Sequence, residues 1–329
     1  LFDLTPFSKF EIKSNQAHKE LQKICTSNIK NEAGKCVYTH MLNPDGGIET
    51  DLTVVCIEKD HFRIISSAAT RERDKFHINK HLAKDVELKD VTDDYCVFGV
   101  FGPKSRALMK SISKDNFEND NFRFSTAKYI TIEGIKIWTQ RLSYVGELGY
   151  ELYVKSKDAK KIYELLVNKG KDFNLSNCGM HAMDIMRMES GFLHWGHDIS
   201  PEENQYQAGL NFTISYKKED EFIGKKALEK IKKEKIKSRF AMFTLKDSKP
   251  GEPLLLHDEP IYLENKIIGR STSGNYSFNF RKNLTFGYIN NDISNNELHK
   301  KDLFIEVEKK KYPIEVINKP LKQTNFKNN

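Results

Sequence analysis

The chain has 329 residues, and its 53 basic and 46 acidic side chains leave a formal charge of +7 with a mean hydropathy of −0.61. Hydrophobic residues at 38% and aromatics at 11% supply sizeable cores for two or three domains and exclude wholesale disorder. The longest apolar runs, such as Leu52–Ile57, fall far short of the roughly 20 residues that cross a bilayer, and the basic excess lies largely in Lys217–Lys237, where Lys, Glu and apolar residues alternate at helical spacing without base-stacking aromatics, so neither membrane nor nucleic acid is an expected partner.

In chain order, the sequence opens on Leu1-Phe2-Asp3-Leu4 without an initiator Met and reads as a fragment of a longer polypeptide. Leu52–Glu58 and His61–Ser66 are β-branched runs around a short polar break and predict a hairpin. Thr70 is a candidate N-cap for a helix with Phe76, Ile78 and Leu82 on its apolar stripe. Cys96–Phe101 reads as a buried strand ended by Gly102-Pro103, with a helix over Lys104–Ile112 after it. Tyr129–Ile132 and Ile135–Leu142 flank a Glu133-Gly134 turn. After a loop over Tyr144–Gly149 come a strand, Tyr150–Val154, a helix, Asp158–Asn168 closed by Gly170, and an apolar helix, Gly179–Ser190, stopped by Gly191. From Ser238 the pattern changes to short strands: Phe240–Leu245, Ile261–Leu263, Leu284–Ile289 and Leu303–Val307. This divides the chain into 1–237 and a β-rich domain over 238–329 in an α+β fold.

Five cysteines at irregular spacing, with no C-x-x-C pair, suggest reduced thiols and a reducing compartment, bacterial cytoplasm or mitochondrial matrix. Four stretches carry more polar and glycine content than packing needs. Asn43–Leu52 holds a Gly46-Gly47 turn leading to Asp51 at the start of a strand, where backbone could approach a ligand; the alternative is a solvated turn with Asp51 capping the strand end. In Tyr144-Val145-Gly146-Glu147-Leu148-Gly149 two glycines bracket a carboxylate that suits an amidine-like N–H edge, unless Glu147 pairs with Arg141. Asp184 and Arg187 break an apolar helix surface, so Arg187 is either in an internal ion pair or reaches an anionic ligand. His194, His197 and Asp198 invite a metal, but no further ligand shares a convincing spacing, and no metal is expected. No G-x-G-x-x-G, Walker or G-x-S-x-G motif is found.

Together these blocks resemble the folate-binding aminomethyltransferase family, typified by the glycine cleavage T-protein. The matching elements are Asp3-Leu4-Thr5-Pro6, Gly46-Gly47 to Asp51-Leu52, Tyr144–Glu151, Arg187-Met188-Glu189-Ser190-Gly191, Asp220–Leu228 and, in the tail, Gly269-Arg270-Ser271-Thr272-Ser273-Gly274. Asp3–Ile12, Met41–Leu52, Phe192–Ser200 and Gln207-Ala208-Gly209-Leu210 are more like the C-terminal half of dimethylglycine and sarcosine dehydrogenases than the free-standing T-protein. The resemblance implies mixed αβ lobes around a central folate site, a C-terminal β-barrel, and tetrahydrofolate as cofactor. It further implies transfer of a one-carbon unit from a small N-methyl amine or aminomethyl donor to give 5,10-methylenetetrahydrofolate, with FAD only in a fused or partner N-terminal region.

By the same resemblance Asp51 is the catalytic carboxylate, Glu147 grips the pterin edge with Tyr144 beside it, and Arg187 pairs with a site carboxylate or contacts the folate. The family's usual acidic pair is here Thr50-Asp51, and Phe326 stands where the T-protein has a tyrosine. The rival readings are a free-standing aminomethyltransferase, a folate-dependent demethylase, and a non-catalytic folate-binding protein. The last usually carries a K-G-C-Y-type motif, whereas Phe222-Ile223-Gly224-Lys225 has no cysteine.

Overall fold

The computed structural model describes residues 1–323, so Thr324-Asn325-Phe326 lie outside the described residues. Two short strands, β1 (Phe2–Asp3) and β2 (Ser8–Lys13), and helix α1 (Ala17–Ile24) precede a meander of β3 (Cys36–Leu42), β4 (Ile48–Glu58) and β5 (His61–Ser66). Helix α2 (Arg71–His81) and β6 (Leu88–Asp90) lead to β7 (Tyr95–Phe101) and α3 (Ser105–Ile112). Then come the hairpin β8 (Ala127–Ile132) and β9 (Ile135–Gln140), strand β10 (Gly149–Lys155), and helices α4 (Ala159–Gly170), α5 (Met180–Glu189) and α6 (Lys225–Lys233). The tail holds β11 (Ser238–Leu245), β12 (Pro260–Leu263), β13 (Lys266–Ser277), β14 (Lys282–Asn290), α7 (Asn295–Lys300), β15 (Leu303–Val307) and β16 (Lys310–Ile317).

These strands make two antiparallel five-stranded sheets, β3-β4-β5-β2-β6 and β1-β7-β10-β9-β8, and a closed six-stranded barrel, β11-β14-β13-β12-β15-β16. The strand alternation decides which lobe each side chain serves. On β4, Leu52, Val54 and Cys56 point into the first lobe's core with Leu21 and Ile24 of α1 and Ile78 of α2. The intervening Val55 and Ile57 pack instead against Phe2, Trp138 and Tyr153 of the second lobe. Asp51 shares their phase, so it lies on the face of β4 that meets the second sheet. A separate core fills the barrel, and another joins barrel strands to the first lobe through Leu42, Ile48, Met188 and Leu193.

Several predicted features take a different local form. Thr70 does precede α2, but its hydroxyl donates to the Asp74 carboxylate at 2.6 Å and makes no helix cap bond. Phe76 is 70% exposed and leaves the apolar face of that helix to Ile78. Glu133 (φ 51°) and Gly134 (φ 77°) form the tight turn expected between β8 and β9. β13 and β16, absent from the sequence reading, complete the barrel.

Candidate functional site

Asp51 is the fourth residue of β4, not the cap of a strand end, because β4 already begins at Ile48. Its cross-strand partner is His40 of β3, with His40 Nε2 at 3.6 Å from Asp51 Oδ1. His40 is wholly buried, and burial pushes its pKa down to about 3, so it stands as a neutral imidazole whose Nδ1 meets the Thr213 hydroxyl at 3.0 Å. The Tyr38 hydroxyl sits 3.3 Å from His40 Nε2 and also interacts with Asp51. Asp51 Oδ1 nevertheless has no hydrogen-bond partner among the described residues.

That side chain is 17% exposed, while its Oδ1 is buried. Burial raises its pKa to about 7, the Tyr38 hydroxyl opposes this, and the nearby Asp74 adds to it. Thr50 is buried and donates to Asp74 at 3.2 Å. A carboxyl that is poised near neutrality and lacks a partner on one oxygen can take up a proton or face a cation.

Tyr144 lies near both Asp51 and Tyr38. The Tyr144 hydroxyl is committed to the Leu193 carbonyl at 2.7 Å, so the residue offers its ring, stacked on Phe192 at 6.1 Å, and not a free donor. Burial raises its phenol well above the ordinary value. Glu147, on the same loop, is paired through Oε1 with Lys322 of the C-terminal segment. Arg141, the partner considered for it from sequence, instead donates to the Phe122 carbonyl at 2.5 Å.

Arg187 is 1% exposed. It donates through Nε to Asp184 at 2.8 Å, through Nη1 to Asp198 at 2.5 Å and to the Phe192 carbonyl, and through Nη2 to Ser273 at 2.8 Å. Asp198 also accepts from the His194 backbone, Thr272 and Ser273. This aspartate is therefore spent on joining α5, the 192–198 loop and β13, and among the described residues no group of three or more metal-ligating side chains occurs. The Gly46-Gly47 turn also has an internal purpose. A Cβ at Gly47 would fall 1.9 Å from the Pro201 carbonyl oxygen, so the close approach is to the chain itself and not to a ligand.

Sequence reasoning missed Tyr38, His40 and Lys322, and weighed Asp198 only as a metal ligand and not as the partner of Arg187. The first two could have been found from the alternation of Cys36, Tyr38 and His40 along one strand face; Lys322 lies far from Glu147 in the chain and gives no local signal.

The GCVT N-terminal domain model matches residues 1–218, and that of the glycine cleavage T-protein C-terminal barrel domain matches residues 239–322. The mitochondrial dimethylglycine dehydrogenase of Rattus norvegicus is 32% identical over 98% of the chain, which spans 37% of that protein. An aminomethyltransferase of Halothermothrix orenii is 32% identical over 89% of the chain and 80% of its own length. The glycine cleavage system aminomethyltransferase T of Bartonella henselae shares the fold, with a TM-score of 0.85 at 20% identity over 98% of this chain and 86% of that one. Two family models in the right order over nearly all of the sequence, on a fold with the family's barrel, mean that the chain belongs to the glycine cleavage T-protein family of folate-dependent aminomethyltransferases.

Proposed function

We propose that the site around Asp51 carries out tetrahydrofolate-dependent one-carbon transfer, with 5,10-methylenetetrahydrofolate as product, and that the chain is the folate half of a dimethylglycine- or sarcosine-dehydrogenase-like flavoenzyme. The observation that carries this reading is Asp51 itself: a partly exposed side chain on the inter-lobe face of β4, with its buried Oδ1 unpartnered and its pKa raised to about 7. Tetrahydrofolate, when bound, supplies the two nitrogens that take up and share the carbon. The residues present fit such a group. Asp51 receives the proton released in the transfer, or faces the cationic carbon while ionised. Tyr38 holds that carboxyl in place. Glu147 has a second oxygen outside its pair with Lys322 and grips the pterin's N–H edge. Tyr144 supplies an aromatic wall, and Arg187 acts by fixing Asp184 and the 192–198 loop. The amine would be oxidised by FAD in a fused or partner region.

The test is a titration with reduced folate, followed by thermal melting. Wild type should gain in melting temperature, Glu147→Ala should lose that gain, and Asp51→Asn should keep it while forming no methylenetetrahydrofolate. Unchanged folate affinity in Glu147→Ala would sink the pterin-edge assignment, and normal turnover in Asp51→Asn would sink the mechanism. A second reading, a free-standing aminomethyltransferase, is favoured by relatives of that name of which the chain spans 80% and 87%. The reading frame upstream of Leu1 separates the two: a flavin-binding region selects the first and a nearby start codon the second.

A further inference from the structure

A second carboxylate lies in the same space between the sheets. Glu151 of β10 and Gln140 of β9 are directly paired across their strands, which places their Cβ atoms about 5 Å apart on one sheet face. That face is the inter-lobe one, because Trp138 and Tyr153, two residues further along each strand, belong to the core between the lobes. Gln140 is wholly buried, and neither its amide oxygen nor its amide nitrogen has a hydrogen-bond partner among the described residues. Glu151 is partly exposed and accepts one hydrogen bond, from the Tyr153 hydroxyl at 3.1 Å.

No Lys or Arg pairs with Glu151 among the described residues. Beyond Tyr153, Arg63 of β5 lies over the Tyr153 ring at 5.3 Å, is bound to Glu11 through Nε and Nη2, and leaves Nη1 without an acceptor. From the facing sheet the neighbour is the buried Cys36 thiol of β3, which shares a strand face with Tyr38 and His40. A carboxylate at such depth with no cation beside it is costly unless something brings the missing charge. A fully buried amide with both ends unpaired beside it marks the same place as built for a polar group that the chain does not supply.

We propose that Glu151 and Gln140 form a subsite on the inter-lobe face of their sheet for a small alkylammonium group, the amine partner of the transfer reaction. The ammonium N–H groups donate to the Glu151 carboxylate and the Gln140 amide oxygen, and its alkyl groups lie against the apolar inter-lobe core. The ligand class rests on the one-carbon-transfer reading, whereas the subsite rests on its own residues. Burial raises Glu151 to about 7, opposed only by the Tyr153 hydroxyl. The groups facing it are Tyr153 on its own strand, Gln140 of β9 and Cys36 of β3, with Arg63 beyond Tyr153, and Gly99 of β7 opposite it has no side chain. Ammonium binding therefore strengthens as pH rises through about 7 and Glu151 ionises.

The experiment is calorimetric titration of the chain with dimethylammonium chloride, against sodium chloride and isopropanol as the ionic and neutral controls. Expected is saturable binding of dimethylammonium alone, tighter at pH 8 than at pH 6 and weakened about tenfold or more in Glu151→Gln, which keeps the shape and loses the charge. Gln140→Leu should weaken it severalfold, and this variant together with the wild-type pH series decides the matter if Glu151→Gln does not fold. Unchanged affinity in a folded Glu151→Gln, or a crystal structure at saturating dimethylammonium with only ordered water on the two side chains, overturns the subsite. Folate-induced stabilisation, measured in parallel, should persist in Glu151→Gln; its absence in wild type overturns the proposed function without touching the ammonium result.

Discussion

Asp51 and His40 are opposed on neighbouring strands, but burial drives both to their neutral forms, with Asp51 up to about 7 and His40 down to about 3. Near pH 7 the site thus holds one group that changes charge and one that does not. The sign for stability follows. The folded-state pKa of Asp51 lies above its ordinary value, so the folded chain binds the proton more tightly, and this contribution is lost as pH rises from about 4 through about 7. Asp51→Asn should therefore be more stable than wild type at pH 8, on the order of 2 kcal/mol, with little difference at pH 4, as read by thermal melting at both pH values. Turnover that needs the ionised carboxylate should rise with pH through the same range. A carboxylate at a strand start was legible as a candidate; its unpartnered oxygen and the imidazole facing it were not, because Tyr38, Thr39 and His40 hide the strand that pairs with β4 across the Gly46-Gly47 turn.

At the scale of elements, hairpins were legible wherever β-branched runs flanked a short turn, as in β4–β5 and β8–β9. Strand β13 was not, since Ser271, Thr272 and Ser273 interrupt its apolar pattern. Those hydroxyls are nonetheless used: Thr272 and Ser273 donate to Asp198 at 2.6 and 2.8 Å, so a polar strand is buried by being hydrogen-bonded. The Gly46-Gly47 turn was legible as a place of close approach, but not what approaches. Gly47→Ala should force the turn away from Pro201, moving the Asn43–Ile48 segment that leads into β4. A loss of about 1–3 kcal/mol in urea denaturation is expected, with lowered turnover because Asp51 shifts with its strand.

At the scale of the molecule, α5 lies between the lobes and the barrel, and the Arg187–Asp198 pair is its tie. Both side chains are almost inaccessible. Removing Asp198 leaves the buried Arg187 with only the partly exposed Asp184 as counter-charge, so Asp198→Ala should cost about 3–5 kcal/mol in chemical denaturation, with the barrel docked less firmly on the lobes. Asp198→Asn, which keeps acceptors for Thr272 and Ser273, should cost less. The C-terminal segment adds a second tie: Lys322 reaches Glu147, and its backbone N–H donates to the Glu189 carbonyl at 2.8 Å. Lys322→Ala should therefore loosen the Glu147 loop, visible as faster amide exchange at residues 145–147.

The sequence by itself determined the family, the mixed αβ lobes followed by a β-barrel, and Asp51, Tyr144, Glu147 and Arg187 as the residues to examine, because ordered blocks of glycines, charges and turns survive as local patterns. Only the tertiary structure decided their partners. Whether a buried arginine faces a ligand or two aspartates, whether a glycine makes room for a cofactor or for Pro201, and whether a glutamate meets a tyrosine or a cation are questions of which strand arrives alongside. Strand register and lobe packing set that arrival, and neither is written in any local stretch of the chain.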